Sequence, residues 1–141
     1  MSGRPHKMFR DSLPRLRGIW WIGLLAVCLG CRDDHRPTLV SVTGKVLVGG
    51  KPATAGSIIF HPAAGNSFQA DRPSSLLQLD GSFTIKTYPY GKGVPPGKYK
   101  VTLAMELATR LKRPDLADVA KTPWSVEVPE KGLSDLVFEA K

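Results

Sequence analysis

Cys28 and Cys31 are the two cysteines of a 141-residue chain, and the run Cys28, Leu29, Gly30, Cys31 has the spacing of a redox dithiol or of half a zinc site. Spacing alone supports neither. A redox pair needs a thiolate in an electropositive, partly open setting, and a structural zinc ion needs four ligands. The chain has no further cysteine and no pair of histidines at ligand spacing. His61, before Pro62 at the end of a strand-like run, reads as a surface or edge residue rather than a general base. No Ser, His and Asp arrangement stands out, and no glycine-rich phosphate loop leads from a strand into a helix. The sequence therefore names no catalytic, cofactor-binding or metal-binding residue.

What surrounds the two cysteines explains them better. Arg4, Lys7, Arg10, Arg15 and Arg17 stand against Asp11 alone, so residues 1–17 hold half of the formal net charge of +8. Gly18 to Gly30 follow as 13 uncharged, largely apolar residues, bounded by Cys31, Arg32, Asp33 and Asp34. A bilayer core takes about 20 apolar residues in a helix. A shorter run behind a basic segment reads as an export signal, with an uncleaved signal anchor as the alternative. Leu29, Gly30 and Cys31 resemble the end of the bacterial lipoprotein processing box, in which a small residue precedes a cysteine that is lipidated and becomes the mature N-terminus. That resemblance makes residues 1–30 a helical signal peptide and Cys31 the lipidation site. Cys28 offers a second register, with bulkier Val27 at the cleavage point. The resemblance also implies two or more acyl chains of the palmitate kind, where a single chain, at about 0.8 kcal/mol per buried CH₂, anchors only marginally. Arg32 stands where Asp is the usual retention signal, which favours an outer membrane.

Residues 31–38 are polar without apolar period and read as a tether. From Leu39 the rhythm becomes two. Val40, Val42, Val46 and Val48 share one parity, with Gly44 among them as a position for a bulge or a close neighbour. Gly49, Gly50, Lys51 and Pro52 predict a turn, and Gly56 to Phe60 a second strand completing a hairpin-like unit. Residues 63–74 read as a loop. Leu76 to Leu79, Asp80-Gly81 and Ser82 to Lys86 predict a two-residue hairpin. After a turn-rich stretch from Tyr88 to Gly97, Lys98, Lys100 and Thr102 face one way and Tyr99, Val101 and Leu103 the other. Ala104, Ala108 and Leu111 have helical spacing, and a second short turn is expected from Asp115 to Val119 behind Pro114. Trp124, Val126 and Val128 alternate again, and a last strand is expected over residues 136–140.

Six or seven short strands between Gly and Pro turns, in the 111 residues after the signal, predict an all-β fold, a single β-sandwich. Val42 to Val46 with Gly50, Lys51 and Pro52, then Asp80 to Phe83, then Gly93 to Val101, are similar to the carboxypeptidase regulatory-like, or transthyretin-like, sandwich. Lys121 to Val128 resemble the close of short bacterial lipoproteins that carry this module alone. The resemblance implies a transthyretin-like domain over residues 39–141 and no chemistry. Hydroxyisourate hydrolases on this fold end in Tyr-Arg-Gly-Ser; this chain ends in residues 136–141, Leu-Val-Phe-Glu-Ala-Lys. Iron dioxygenases on a related sandwich use two Tyr and two His ligands. Tyr88, Tyr90, Tyr99, His35 and His61 are the types available, with His35 in the tether and Tyr99 of inward parity.

Residues 31–141 carry 15 basic and 11 acidic side chains, expected to be spread over an ordinary surface, so nucleic acid is not an expected partner. Lys98 and Lys100, with Lys92, could meet an anionic polymer or headgroup; a solvated strand face is the simpler reading. The expected protein is a non-enzymatic lipoprotein of the cell envelope, periplasm-facing. The membrane, an envelope protein or a glycan are its expected partners. The alternative is a periplasmic small-molecule carrier or enzyme with a pocket between the loops at 63–74 and 87–97.

Overall fold

The alternation that starts at Val42 is a seven-residue strand, β1 (Val42–Val48), with Val42, Gly44 and Val46 buried. These positions belong to a computed structural model that describes residues 36–141. The signal-peptide reading, Cys28, Cys31, His35 and most of the tether lie outside the described residues. Gly49 and Gly50 have φ of 56° and 76°, positive at both central positions as a tight two-residue hairpin turn requires. The turn leads into β2 (Lys51–Pro52), paired antiparallel with the end of β1.

There the expected hairpin with the next strand ends. β3 (Ser57–Pro62) belongs to a different sheet, because the chain leaves the first sheet after Pro52 through Ala53, Thr54 and Ala55, with Ala55 at φ 56°. β4 (Ser74–Leu76) and β5 (Ser82–Thr84) also part company. A turn forms there, but as a three-residue loop, Leu79-Asp80-Gly81, rather than the two-residue one expected: Gly81 N–H donates to Gln78 O and Gln78 N–H to Ser82 O, each at 2.9 Å, with Gly81 at φ 77°. Its two arms then splay, β4 pairing with β3 and β5 with β1. Period and turn chemistry are local, but the choice of sheet is made by the core.

β6 (Lys86–Thr87) continues β5 past Ile85 and crosses to the second sheet, where it pairs with β7 (Gly91–Lys92). Ile85 marks the corner: its N–H donates to Val42 O in one sheet and its carbonyl accepts from Gly93 N–H. Then come β8 (Gly97–Leu103), helix α1 (Met105–Arg110), a 3₁₀ turn (Pro114–Ala117), β9 (Ser125–Val128) and β10 (Leu133–Ala140). One sheet has the order β10-β1-β2 with β5 also on β1, and the other β7-β6-β4-β3-β8-β9. The fold is an all-β sandwich, and seven of its strands run to three residues or more.

β10 begins three residues earlier than the pattern suggested and lies parallel to β1. The register shifts between Val42 and Gly44, a bulge at the expected place. A Cβ on Gly44 would overlap the Leu136 carbonyl oxygen and come within 2.7 Å of Phe83 Cζ, so the two strands approach only because that side chain is absent.

Between the sheets Phe60 of β3 meets Tyr99 of β8 and, from the other sheet, Phe83 and Phe138 at ring-centroid distances of 5.8, 6.5 and 6.3 Å. Trp124 closes on Phe138 at 5.4 Å. Such edge and offset contacts are the favoured geometries of aromatic pairs. The short helix expected after Ala104 is α1, whose buried Leu107 packs on Gly56. Among the described residues no helix is long and apolar enough to cross a membrane.

Candidate functional site

Of the polar side chains that sequence reading singled out, His61, Lys92, Lys98 and Lys100 fall on the outer face of the six-stranded sheet, Tyr99 on its inner face and Tyr88 and Tyr90 on a loop. On β3, Phe60 points inward, so His61 points out. It is half-buried, and its Nε2 hydrogen-bonds Thr102 Oγ1 of β8 at 2.8 Å. Desolvation by burial, and then the nearby Arg72 guanidinium, hold the imidazole below its ordinary value. His61 is therefore more enclosed than the surface or edge residue expected, because β3 is an interior strand, between β4 and β8. An open cleft of about 440 Å³ is lined by His61, Pro62, Gln69, Ala70, Asp71, Arg72 and Val119.

Tyr99, on β8, is buried as its parity indicated. Its hydroxyl donates to Pro95 O at 2.7 Å, and burial pushes the phenol up. Tyr99 and His61 thus face opposite sides of one sheet, and Tyr88 is exposed on a loop; the structure does not bring these candidate iron ligands together. His35 lies outside the described residues, as does Cys31.

The loops at 63–74 and 87–97 do meet, but by packing on each other and on β8. Asn66 is buried between them, donating from Nδ2 to Lys98 O and accepting at Oδ1 from Phe68 N–H, both at 2.9 Å. Tyr88 N–H donates to Asp71 Oδ2 at 3.0 Å. What remains open beside them is a cleft of about 360 Å³ between Ala64–Ser67 and Pro96–Lys98. Every buried side-chain nitrogen and oxygen among the described residues has a hydrogen-bond partner.

The charges depart most from expectation. Register places Lys92 opposite Lys86, Lys86 opposite Ser74, Ser74 opposite Ile59 and Ile59 opposite Thr102. Two residues along the strands, His61 is opposite Lys100, and Arg72, which shares the parity of Ser74, stands beside it. Lys98 follows on the same face, opposite Glu127. A third open cleft, about 350 Å³, lies over Lys98, Lys100, Ser125 and Glu127. The basic side chains are thus not spread evenly. The ion pairs formed among the described residues, Lys45–Asp80, Arg113–Asp115 and Lys121–Asp118, involve none of the cations on this face.

Sequence reading found Lys92, Lys98 and Lys100 but missed Arg72 and Lys86. Parity could have assigned Lys86 to an outer face, but Arg72 lies in the stretch read as a loop, where there is no parity to use. Nothing local shows that β4 and β6 lie side by side, so the grouping itself had no sequence signal. Compared with family models, with curated proteins and with solved structures, the chain matches none.

Proposed function

We propose that this chain is a lipid-anchored, non-enzymatic binding module of the bacterial cell envelope, held on the membrane through Cys31, facing the periplasm, with a carboxypeptidase regulatory-like (transthyretin-like) sandwich as its body. The observation that carries the binding-module reading is how the scaffold uses its polar interior. The polar atoms of Asn66, Thr87, Tyr99 and Thr122 all bond to the backbone of neighbouring segments, and His61 bonds Thr102. Groups spent in this way position loops rather than act on a substrate. The anchor rests on the basic segment, the 13-residue apolar run and the Leu29, Gly30, Cys31 ending. Support for the sandwich type comes from Val42 to Val46 with its Gly-Lys-Pro turn, from Asp80-Gly81, and from Pro95, Pro96 and Gly97 leading into β8.

Mass spectrometry of the membrane-extracted protein tests the anchor. The expected species begins at an acylated Cys31, and an intact Met1 overturns the reading. The Cys31→Ala variant should fail to mature; a variant still cleaved and still membrane-bound would count against lipid anchoring. Saturable binding or turnover of a small metabolite by the extracted protein would replace the module by a carrier or enzyme.

A further inference from the structure

Lys92, Lys86, Arg72, His61, Lys100 and Lys98 form a diagonal stripe over the outer face of the six-stranded sheet, crossing it from β7 to β8. Neighbouring strands lie about 4.8 Å apart, so the four spacings from β7 to β8 span about 19 Å across the sheet. The five Lys and Arg side chains are exposed. Like charges directly opposite each other on a sheet face are destabilising, yet Lys86 and Lys92 stand as such a pair, and Arg72 and Lys100 flank His61. Protection of an exposed sheet edge by lysine explains only Lys92, on the edge strand β7. Lys86, Arg72 and Lys100 belong to interior positions, where that explanation does not reach. Two nearby carboxylates, Asp71 beside Arg72 and Glu127 opposite Lys98, offset the stripe only in part, because five Lys and Arg side chains stand against them.

We propose that this stripe binds a linear acidic glycan, an extended chain of sugars bearing carboxylate, sulfate or phosphate groups. The stripe's shape selects a linear partner, because the cations fall in single file across successive strands rather than over the whole face. Two of the open clefts flank the His61–Lys100 row, one beside Arg72 and one beside Lys98, and give room for pendant anionic groups next to a fixed cation. Choosing a glycan over a nucleic acid rests on the export reading above; the stripe does not.

The test uses the full-length, membrane-extracted protein reconstituted in neutral-lipid nanodiscs and a fluorescent uronic-acid oligosaccharide, with a neutral oligosaccharide of equal length and vesicles of anionic phospholipid as comparisons. The acidic oligosaccharide should bind with an affinity that falls as salt is raised, and the neutral one should not bind. Lys86→Glu with Lys100→Glu should weaken binding by about tenfold or more, while Lys51→Glu with Lys131→Glu, exposed elsewhere, should leave it unchanged. Thermal unfolding of each variant checks that the sandwich survives. Equal binding of the neutral sugar, equal loss from the control pair, or tighter lysine-dependent binding to the vesicles overturns the proposal. An intact Met1 overturns the lipid anchor of the proposed function while leaving the measured preference for polyanions standing, so the two failures are told apart.

Discussion

The two sheets share one interior but present unlike exteriors. On the smaller sheet, β1 turns Thr43, Lys45 and Leu47 outward, opposite Thr84, Val137 and Glu139, and Lys45 Nζ lies 3.8 Å from an Asp80 carboxylate oxygen. Opposite signs and apolar groups alternate there, as on most soluble surfaces. On the larger sheet the same period-two patterning turns out Lys86, Lys92, Arg72, Lys100 and Lys98 with Glu127 as the acid across the sheet. Period decides that a residue faces outward. Which outward residues become neighbours is decided by strand order, and the order differs between the two sheets.

The largest effects are expected inside, where the sheets depend on each other. Phe60 touches aromatic rings from both sheets and is fully buried. Phe60→Ala should cost about 3–5 kcal/mol, measured by denaturant unfolding, and should loosen both sheets at once. Gly44→Ala acts on the smaller sheet, where its methyl group would overlap the Leu136 carbonyl and the Phe83 ring. A cost of about 1–3 kcal/mol is expected, with amide protection falling first in β1 and β10. A variant as stable as wild type would show that the β1–β10 approach is looser than described. Tyr99→Phe acts on the larger sheet: it leaves the Pro95 carbonyl without its hydroxyl donor and should cost about 1–2 kcal/mol.

How far the fold was legible follows the same division. The parity of Val42, Gly44, Val46, Phe83, Ile85, Tyr99 and Val101 was readable from the sequence, and all are buried. The turn at Gly49-Gly50 was readable as well, and so was the presence of a turn at Asp80-Gly81, though not its three-residue form, since turns depend on residue chemistry within a few positions. The partners of those strands were not. The arms of the Asp80-Gly81 turn go to different sheets because Phe83 must face Phe60 and Phe138, a demand made by residues more than 20 positions away. The cationic stripe was hidden for the same reason, since its members come from four strands and one loop.

Outside, the expected effects are smaller and opposite in sign on the two faces. Lys86→Glu replaces a like-charge pair with Lys92 by an attractive one and should raise stability by about 0.2–1 kcal/mol. Lys45→Glu removes the partner of Asp80 and should lower it by a comparable or smaller amount, since both side chains are more than half exposed. If Lys86→Glu destabilises, the lysines of the larger sheet are placed by packing of their stems, and the contrast between faces loses its electrostatic basis.

Titration separates the faces further. His61 is held below its ordinary value of 6.5, by burial first and then by Arg72. Between that lowered value and 6.5 the unfolded chain binds more protons than the folded one, so stability rises with pH through this window and is complete above 6.5. Asp80, on the other face, is held below its ordinary 3.8, first by the Ser82 hydroxyl and then by its backbone N–H, with a smaller attraction from Lys45. Its contribution is present above 3.8 and is lost as pH falls through the depressed value. Melting temperature followed against pH should therefore show two separate declines on acidification, an upper one from His61 and a lower one from carboxylates held below their ordinary range, Asp80 and, beside Arg113, Asp115. Arg72→Gln should shallow the upper decline without removing it, because burial remains. His61→Gln should abolish it and leave the lower one in place. An unchanged upper decline in both variants would place the responsible group elsewhere and detach His61 from the charge of the stripe.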